Sequence, residues 1–396
     1  MLSISDYERS LHLLQQAATP TGFTAAVHEH DNYKRVWTRD GVITSLAALA
    51  SQDPALIQTA KATLQTLFDH QHPVGFMPSN VTPGTNAVSY GGTVGRADNP
   101  SWAVIGLLFY TLHTEDTTLA DQYQPQVQKC LAVLEAWEFN GKGLIYVPQS
   151  GDWADEYIQH GYILYDQLLR LWALELAAAY YHDQAYREKA QQIRSLLQVN
   201  FWYSERTTGL YAANMVHQMP LVQKPYWLLG FNPARIYPQF DLQANALALL
   251  LGLGTPDQKV TLINFIRSSL QSQQDLLASF SPAIEEDTFF MEELRHNHAY
   301  GFRNFPHEFH NGGLWPVWNG FLVAGLMACQ EVELAQQVTE YIHRANHKHT
   351  SAASFGFYEN LHGLSKDPIG VPLCTWSAAG AVIAELSLSG FSFSLI

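Results

Sequence analysis

The feature that most constrains this chain is the rhythm of its connections. Apolar residues at helical spacing mark twelve segments, near 4–17, 41–51, 55–70, 101–113, 118–137, 163–181, 184–199, 240–253, 256–270, 314–328, 331–346 and 375–388. Short links such as 51–54, 114–117, 254–255 and Gln330 join one helix to the next, whereas stretches of roughly 20 to 40 residues separate the pairs.

The two kinds of helix also differ. Segments entered from a long connection (FDLQANALALLLGL, LWPVWNGFLVAGLMACQ, WSAAGAVIAELSL) are apolar nearly all round, which predicts burial on every face. Those entered from a short link (PALIQTAKATLQTLFDHQ, EKAQQIRSLLQ) are amphipathic. An inner ring of buried helices wrapped by an outer ring of half-exposed ones accommodates both patterns, so the expected fold is all-α, an (α/α)6 toroid of six helical hairpins. An open α-solenoid or two helical domains are the alternatives. No fixed-period repeat favours the solenoid, and no linker rich in Pro, Gly or Ser divides the chain, so one domain over residues 1–396 is expected. The alternation places every long loop at the same end of the toroid, where the loops can wall a pocket.

Composition removes several functions. Only 15 % of residues are charged and the net charge is -14. The 22 Lys and Arg form no dense run, which argues against a nucleic-acid partner, and an acidic polysaccharide is equally disfavoured. Cys130, Cys329 and Cys374 have no CxxC spacing and fit no disulfide framework. The start MLSISDYERSLHLL has early acidic residues and no apolar h-region, and no 18-residue apolar stretch lacks charge, so a soluble cytoplasmic protein without a membrane partner is expected. GxxxxGK[ST], GxSxG, HExxH and a strand-linked GxGxxG are all absent, and no cofactor is expected. The histidines at 296, 298, 307 and 310 and at 343, 347 and 349 come without a carboxylate or thiolate set, so no metal is expected. The oligomeric state is left open.

The long loops carry the unusual residues. The first ends KRVWTRDG, with Trp37, Arg39 and Asp40; the second ends GRADNPSW, with Asp98 and Trp102. The third holds QSGDWADEY, residues 149–157, where Asp152, Asp155 and Glu156 surround Trp153, and Gln167 follows in HGYILYDQLL. The fourth runs through KPYWLLGFNPARIYPQF. The fifth ends FPHEFHNGGLWP, with His310, Asn311 and Trp315, and the sixth contains SFGFYENLHG, residues 354–363, with Glu359, and ends PLCTW, with Trp376. Carboxylates beside aromatic rings suit sugar chemistry, because a ring face packs on a pyranose and a partly desolvated carboxyl group keeps its proton. A carboxylate of the QSGDWADEY stretch and Glu359 therefore suggest an acid and a base acting on a small sugar. Helix capping by Asp40, Asp98 or Asp155 and plain aromatic packing are the bland alternatives.

Laid out in this way, the chain resembles the (α/α)6 glycoside hydrolases, nearest to the neutral/alkaline invertase family. The resemblance rests on WTRDG (37–41), ADNPSW (97–102), HGYILYDQLL (160–169), LLGFNPARIYPQFDLQANALALLLGLGTPDQ (228–258), FHNGGLWPVW (309–318) and TWSAAG (375–380). It implies Asp155 as general acid, Glu359 as general base, and Asp40, Asp98, Gln167 and His310 around the sugar. GDWADEY resembles the acid-bearing segments of amylo-1,6-glucosidases and glucoamylases, and FYENLHG those of bacterial relatives of processing α-glucosidase I. Inverting hydrolysis of an α-linked sugar is common to these relatives, whereas the leaving group differs. An exo-acting α-glucosidase is thus expected. The alternatives are a sucrose-cleaving invertase, an epimerase of the N-acylglucosamine 2-epimerase type with histidine bases, and a non-catalytic sugar binder.

These roles carry physical expectations. Asp155 should be held protonated by burial against Trp153 and by the charges of Asp152 and Glu156, while Glu359 is ionised. The two carboxyl groups should stand about 6.5 to 9.5 Å apart. At least one of Trp153, Trp315 and Trp376 should stack on the sugar.

Overall fold

The computed structural model describes residues 4–92, 94–205, 208–298, 301–349 and 355–394. In chain order its helices are α1 (Asp6–Ala17), α2 (Thr38–Ser51), α3 (Pro54–Asp69), α4 (Asn99–Thr114), α5 (Thr118–Gln122), α6 (Gln124–Ala136), α7 (Leu164–Tyr180) and α8 (Gln184–Asn200). The second half adds α9 (Met215–Gln218), α10 (Leu242–Leu250), α11 (Pro256–Gln273), α12 (Phe289–Arg295), α13 (Pro316–Ala328), α14 (Val332–Asn346) and α15 (Thr375–Leu388). Each of the twelve expected segments is present. The one at 118–137 is broken at Tyr123, where Pro125, which has no N–H to donate, sits in the first turn of α6.

Six helices form a closed inner ring: α2 packs on α4, α4 on α7, α7 on α10, α10 on α13, α13 on α15, and α15 back on α2. Burial follows the composition. Every residue of α13 from Pro316 to Leu326 is buried, whereas α14, outside it, buries one stripe that includes Leu334, Val338, Tyr341, Ile342 and Ala345. The first helix completes the outer layer by packing on the last. Close approach inside the ring depends on glycine. A Cβ on Gly320 of α13 would lie 2.3 Å from the carbonyl oxygen of Gly380 of α15.

Among the inner helices only α10 has a side-chain cap, Asp241, which accepts from Ala244 N. Four outer helices are capped by side chains, Ser5 with Glu8 in a capping box on α1, Asp53 on α3, Asp183 on α8, and Thr255 with Gln258 on α11, whereas α6 and α14 are not. The inner helices α2, α4, α7, α13 and α15 have no side-chain cap at their starts. Their N-terminal ends, where helix dipoles favour negative charge, all meet the long loops.

Short antiparallel strands tie those loops together. Val36–Trp37, Asn80–Val81 and Val88–Ser89 join the first two loops, and Tyr162–Ile163, Leu228–Phe231, Ile236–Asp241 and Phe280–Ser281 join the third, fourth and fifth. The sixth loop forms the hairpin Asn360–Leu361 with Pro368–Ile369, and Leu361 bridges to Leu314 of the fifth. No described helix is long and apolar enough to cross a membrane.

Candidate active site

The third and sixth loops feed α7 and α15, which stand opposite each other in the ring order, so Asp155 and Glu359 arrive from opposite sides. Each is held by contacts from other loops. The acid-bearing stretch is pinned at Gly151, whose carbonyl accepts from Ala97 N at 2.6 Å, and at Tyr157, whose carbonyl accepts from Asn297 Nδ2 at 2.9 Å. Asn304 connects it to the HNGG turn: its Nδ2 donates to the Glu156 carbonyl at 3.1 Å, and its Oδ1 accepts from His310 N at 2.9 Å.

Glu359 is buried. Its Oε1 accepts from Tyr33 Oη at 2.6 Å, and its backbone N–H donates to the Val371 carbonyl at 2.9 Å. Gly370, at φ +77°, makes the room, since a Cβ there would lie 2.5 Å from Glu359 Oε2. Burial, aided by the charge of Asp40, pushes the Glu359 carboxyl up to about 7, against the pull of the Tyr33 hydrogen bond. Asp40, buried on the first turn of α2, is pushed up to about 6 by desolvation. Glu359, expected to be fully ionised, is instead poised near neutrality. Ser354, at the start of its segment, lies outside the described residues.

Asp155 differs from expectation in its surroundings. Its side chain is 41 % exposed, and Oδ2 accepts from Arg96 Nη2 at 2.7 Å. The Trp153 ring is stacked on Phe280 at 5.8 Å and edge-on to Trp315 at 5.3 Å and Trp318 at 5.2 Å. The desolvated carboxyl group of this stretch is Asp152, which accepts from Ala154 N at 2.9 Å and from Gln159 Nε2. Burial and the charge of Asp98 push it up to about 7.

Asp98 starts α4 but makes no capping hydrogen bond there. Its carboxylate takes two from Arg39, at 2.6 and 3.0 Å, and one from Tyr165 Oη at 3.2 Å; Tyr165 in turn accepts from Trp102 Nε1 at 2.9 Å. This buried ion pair fixes Arg39 next to Asp40. His310 lies parallel to Trp315, with centroids 5.4 Å apart, and burial pushes its imidazole down to about 4, so it is neutral at physiological pH. Its Nδ1 has no hydrogen-bond partner among the described residues.

Several residues expected against the sugar do other work. Gln167 is fully buried and clamps Ile145, accepting from its N at 3.0 Å and donating to its O at 2.9 Å. Asn311 clamps Ile284 in the same way, at 2.6 and 2.9 Å, and Trp102 is packed on Trp172 and Phe321. Trp153, Trp315 and Trp376 are 3 %, 2 % and 4 % exposed, so none presents an open face for stacking. Aromatic rings at the mouth of a helical ring pack on one another before they meet ligand. Trp37 alone among the expected tryptophans is half-exposed; its Nε1 donates to the Asn32 carbonyl at 3.0 Å, and its ring centroid lies 6.5 Å from that of Tyr33.

Sequence reasoning passed over Tyr33, Arg96, Asn297 and Asn304. Arg96 carried no local signal, since the carboxylate it meets, Asp155, lies 59 positions away in another loop. Among the described residues no group of His, Cys, Asp and Glu has metal-binding geometry.

Comparisons with known proteins agree with this architecture. The family model described as alkaline and neutral invertase matches residues 211–388. The probable alkaline/neutral invertase D of Arabidopsis thaliana is 24 % identical, covering 94 % of this chain and 79 % of its own. Cytosolic invertase 1 of Oryza sativa subsp. japonica is also 24 % identical, over 94 % of this chain and 75 % of its own. Among solved structures, the GH63 mannosylglycerate hydrolase from Thermus thermophilus, in complex with Tris and D-glycerate, superposes with a TM-score of 0.69 at 13 % identity, covering 96 % of this chain and 99 % of that one. A bacterial glucoamylase complexed with acarbose gives 0.59 at 15 % identity, over 99 % of this chain and 56 % of its own.

Proposed function

Because the chain is a glycoside hydrolase built on the (α/α)6 toroid, we propose that it is an inverting, exo-acting α-glycosidase, an α-glucosidase acting on a small soluble glucoside or oligosaccharide in the cytoplasm. Asp155 is the general acid and Glu359 the general base. The observation that supports this most directly is the contrast between the two carboxyl groups: Asp155 is open to the loop end of the toroid, and Glu359 is buried near neutrality beneath Tyr33 on the opposite side.

The chemistry follows from that contrast. Asp155 donates a proton to the departing glycosidic oxygen, and water attacks the anomeric carbon from the opposite face. Glu359 takes a proton from that water, and a base that titrates near the working pH is well matched to the task. Asp40 and neutral His310 Nδ1 accept or donate hydrogen bonds at sugar hydroxyls, Arg39 is oriented by Asp98, and half-exposed Trp37 offers a ring face. Gln167, Asn311, Trp102, Trp153, Trp315 and Trp376 shape the pocket from behind.

A sucrose-cleaving reading is favoured by the match to the invertase model over 211–388 and stands second. A panel of α-glucosides, sucrose, mannosylglycerate and free sugars separates the readings. New reducing ends from an α-glucoside support the proposal, and sucrose as sole substrate supports the second reading. Interconversion of free epimers without hydrolysis would overturn both.

A further inference from the structure

Arg96 stands where the proposed reaction needs something to give way. Its Nη2 donates to Asp155 Oδ2 at 2.7 Å, while Nη1 donates to the backbone carbonyls of Ser150 and Gly95, both at 3.0 Å. The guanidinium is thus anchored on the acid-bearing loop by one nitrogen and touches the acid with the other. Arg96 is 14 % exposed at its side chain and Asp155 41 %, so the contact lies at the open side of the acid. The same region includes His310, which is within the electrostatic reach of Asp155, Arg39 and Arg96 together.

An oxygen held by a cationic guanidinium is better placed as an ionised acceptor than as the carrier of the proton that a leaving group needs. Exchanging its hydrogen bond from Arg96 frees Asp155 Oδ2 for that task, and the group that arrives there during reaction is the leaving half of the substrate. Resting on the proposed function, we propose that Arg96 is a leaving-group residue: on substrate binding its Nη2 passes from Asp155 to a hydroxyl oxygen of a polyhydroxylated leaving group, a second sugar or a polyol. Freed of the cation, the half-exposed carboxylate takes a proton from solvent water on Oδ2 and passes it to the glycosidic oxygen. The anchored Nη1 keeps the guanidinium in place, so the exchange needs a small shift of one nitrogen and no loop rearrangement.

The test compares two substrates of the same sugar in wild type, Arg96→Gln and Arg96→Lys. One is the glucoside identified by the panel; the other is the α-glycosyl fluoride, whose fluoride departs without needing a proton from Asp155 and carries no hydroxyl. The proposal expects Arg96→Gln to lose kcat/KM on the glucoside by about 10- to 100-fold more than on the fluoride, the range of one hydrogen bond to a charged group. Arg96→Lys, which keeps the charge and loses the fork, should fall between. Inhibition by the free leaving-group alcohol should weaken in parallel. Equal losses on both substrates, with Arg96→Lys folded by its melting curve, would show that Arg96 only braces the loop and would overturn the inference while leaving the glycosidase reading intact. If the panel yields no cleaved glucoside and wild type also fails on the fluoride, that reading falls and the inference with it.

Discussion

Tyr33 Oη donates to Glu359 Oε1 at 2.6 Å, joining residues 326 positions apart in the chain and placing the first long loop over the carboxyl group of the sixth. The contact has a direct kinetic consequence. With Glu359 as the proposed base, pushed up to about 7 by burial, its proton must leave before water can be activated, so the acid limb of kcat/KM should rise with pH through about 7. The Tyr33 hydroxyl favours the charged form of Glu359, and Tyr33→Phe should move that limb upward by about one pH unit. A limb that stays put in the variant, or activity that falls between about pH 6 and 8, would show that Glu359 is not the titrating base.

Exchanging the carboxyl groups separates catalysis from structure. Asp155→Asn and Glu359→Gln should each lower kcat by several orders of magnitude while the melting temperature stays near wild type or, for Glu359→Gln, rises. A capping role for Asp155 would instead cost about 0.5 to 2 kcal/mol of stability and leave turnover intact. Circular-dichroism melts alongside kinetics on each variant distinguish the two outcomes.

The buried carboxyl groups also set how stability responds to pH. Glu359 and Asp152 are raised to about 7 and Asp241 to about 8, chiefly by burial, and Asp166 is raised well above the ordinary range by burial and by neighbouring Asp152 and Asp98. The folded protein therefore holds protons that the unfolded chain has released, and stability must fall as pH rises through the folded-state values. His310 works in the opposite direction only below its unfolded value of about 6.5, where the unfolded chain binds a proton that the folded one refuses. Between about pH 6.5 and 8.5 the carboxyl groups act alone among these, so Tm should be lower at the alkaline end. Asp241→Asn should reduce the slope, and a Tm that climbs across this window would contradict the assignment.

Trp315 and Trp37 divide packing from binding. Trp315 is buried against His310, Trp153 and Trp376, and Trp315→Ala should cost about 3 to 5 kcal/mol of stability through the cavity it leaves. Trp37→Ala, at a half-exposed ring, should raise KM with little change in Tm. A stable Trp315→Ala with a raised KM would return Trp315 to the sugar.

Much of the scaffold was legible because its signals are continuous. Inner helices such as α13 are apolar over every turn, outer ones such as α3 and α11 carry an Asp or a Thr–Gln capping pair at the start, and short links leave little choice of partner. The small strands were not legible, since pieces such as Tyr162–Ile163 are two residues long and pair across distant loops. At the site, QSGDWADEY announced carboxylates but could not say which would be buried: Asp152 and Asp155 are close neighbours in the chain, and only the packing of adjoining loops separates them. Tyr33 and Asn304 left no trace in sequence, because a hydroxyl or an amide in a polar loop looks alike whether it faces water or a residue from another loop. The side chain of Asp98 binds Arg39 rather than capping α4, so it is an ion-pair partner and not a cap.

Stereochemistry follows directly from the proposed roles of the two carboxyl groups. Water attacking from the face opposite Asp155, with Glu359 as its base, must invert the anomeric carbon. Proton NMR of an α-glucoside digested in the spectrometer, recorded before mutarotation, should show the β-anomer of the released sugar appearing first; first appearance of the α-anomer would contradict the assignment of Asp155 and Glu359 as acid and base across the ring.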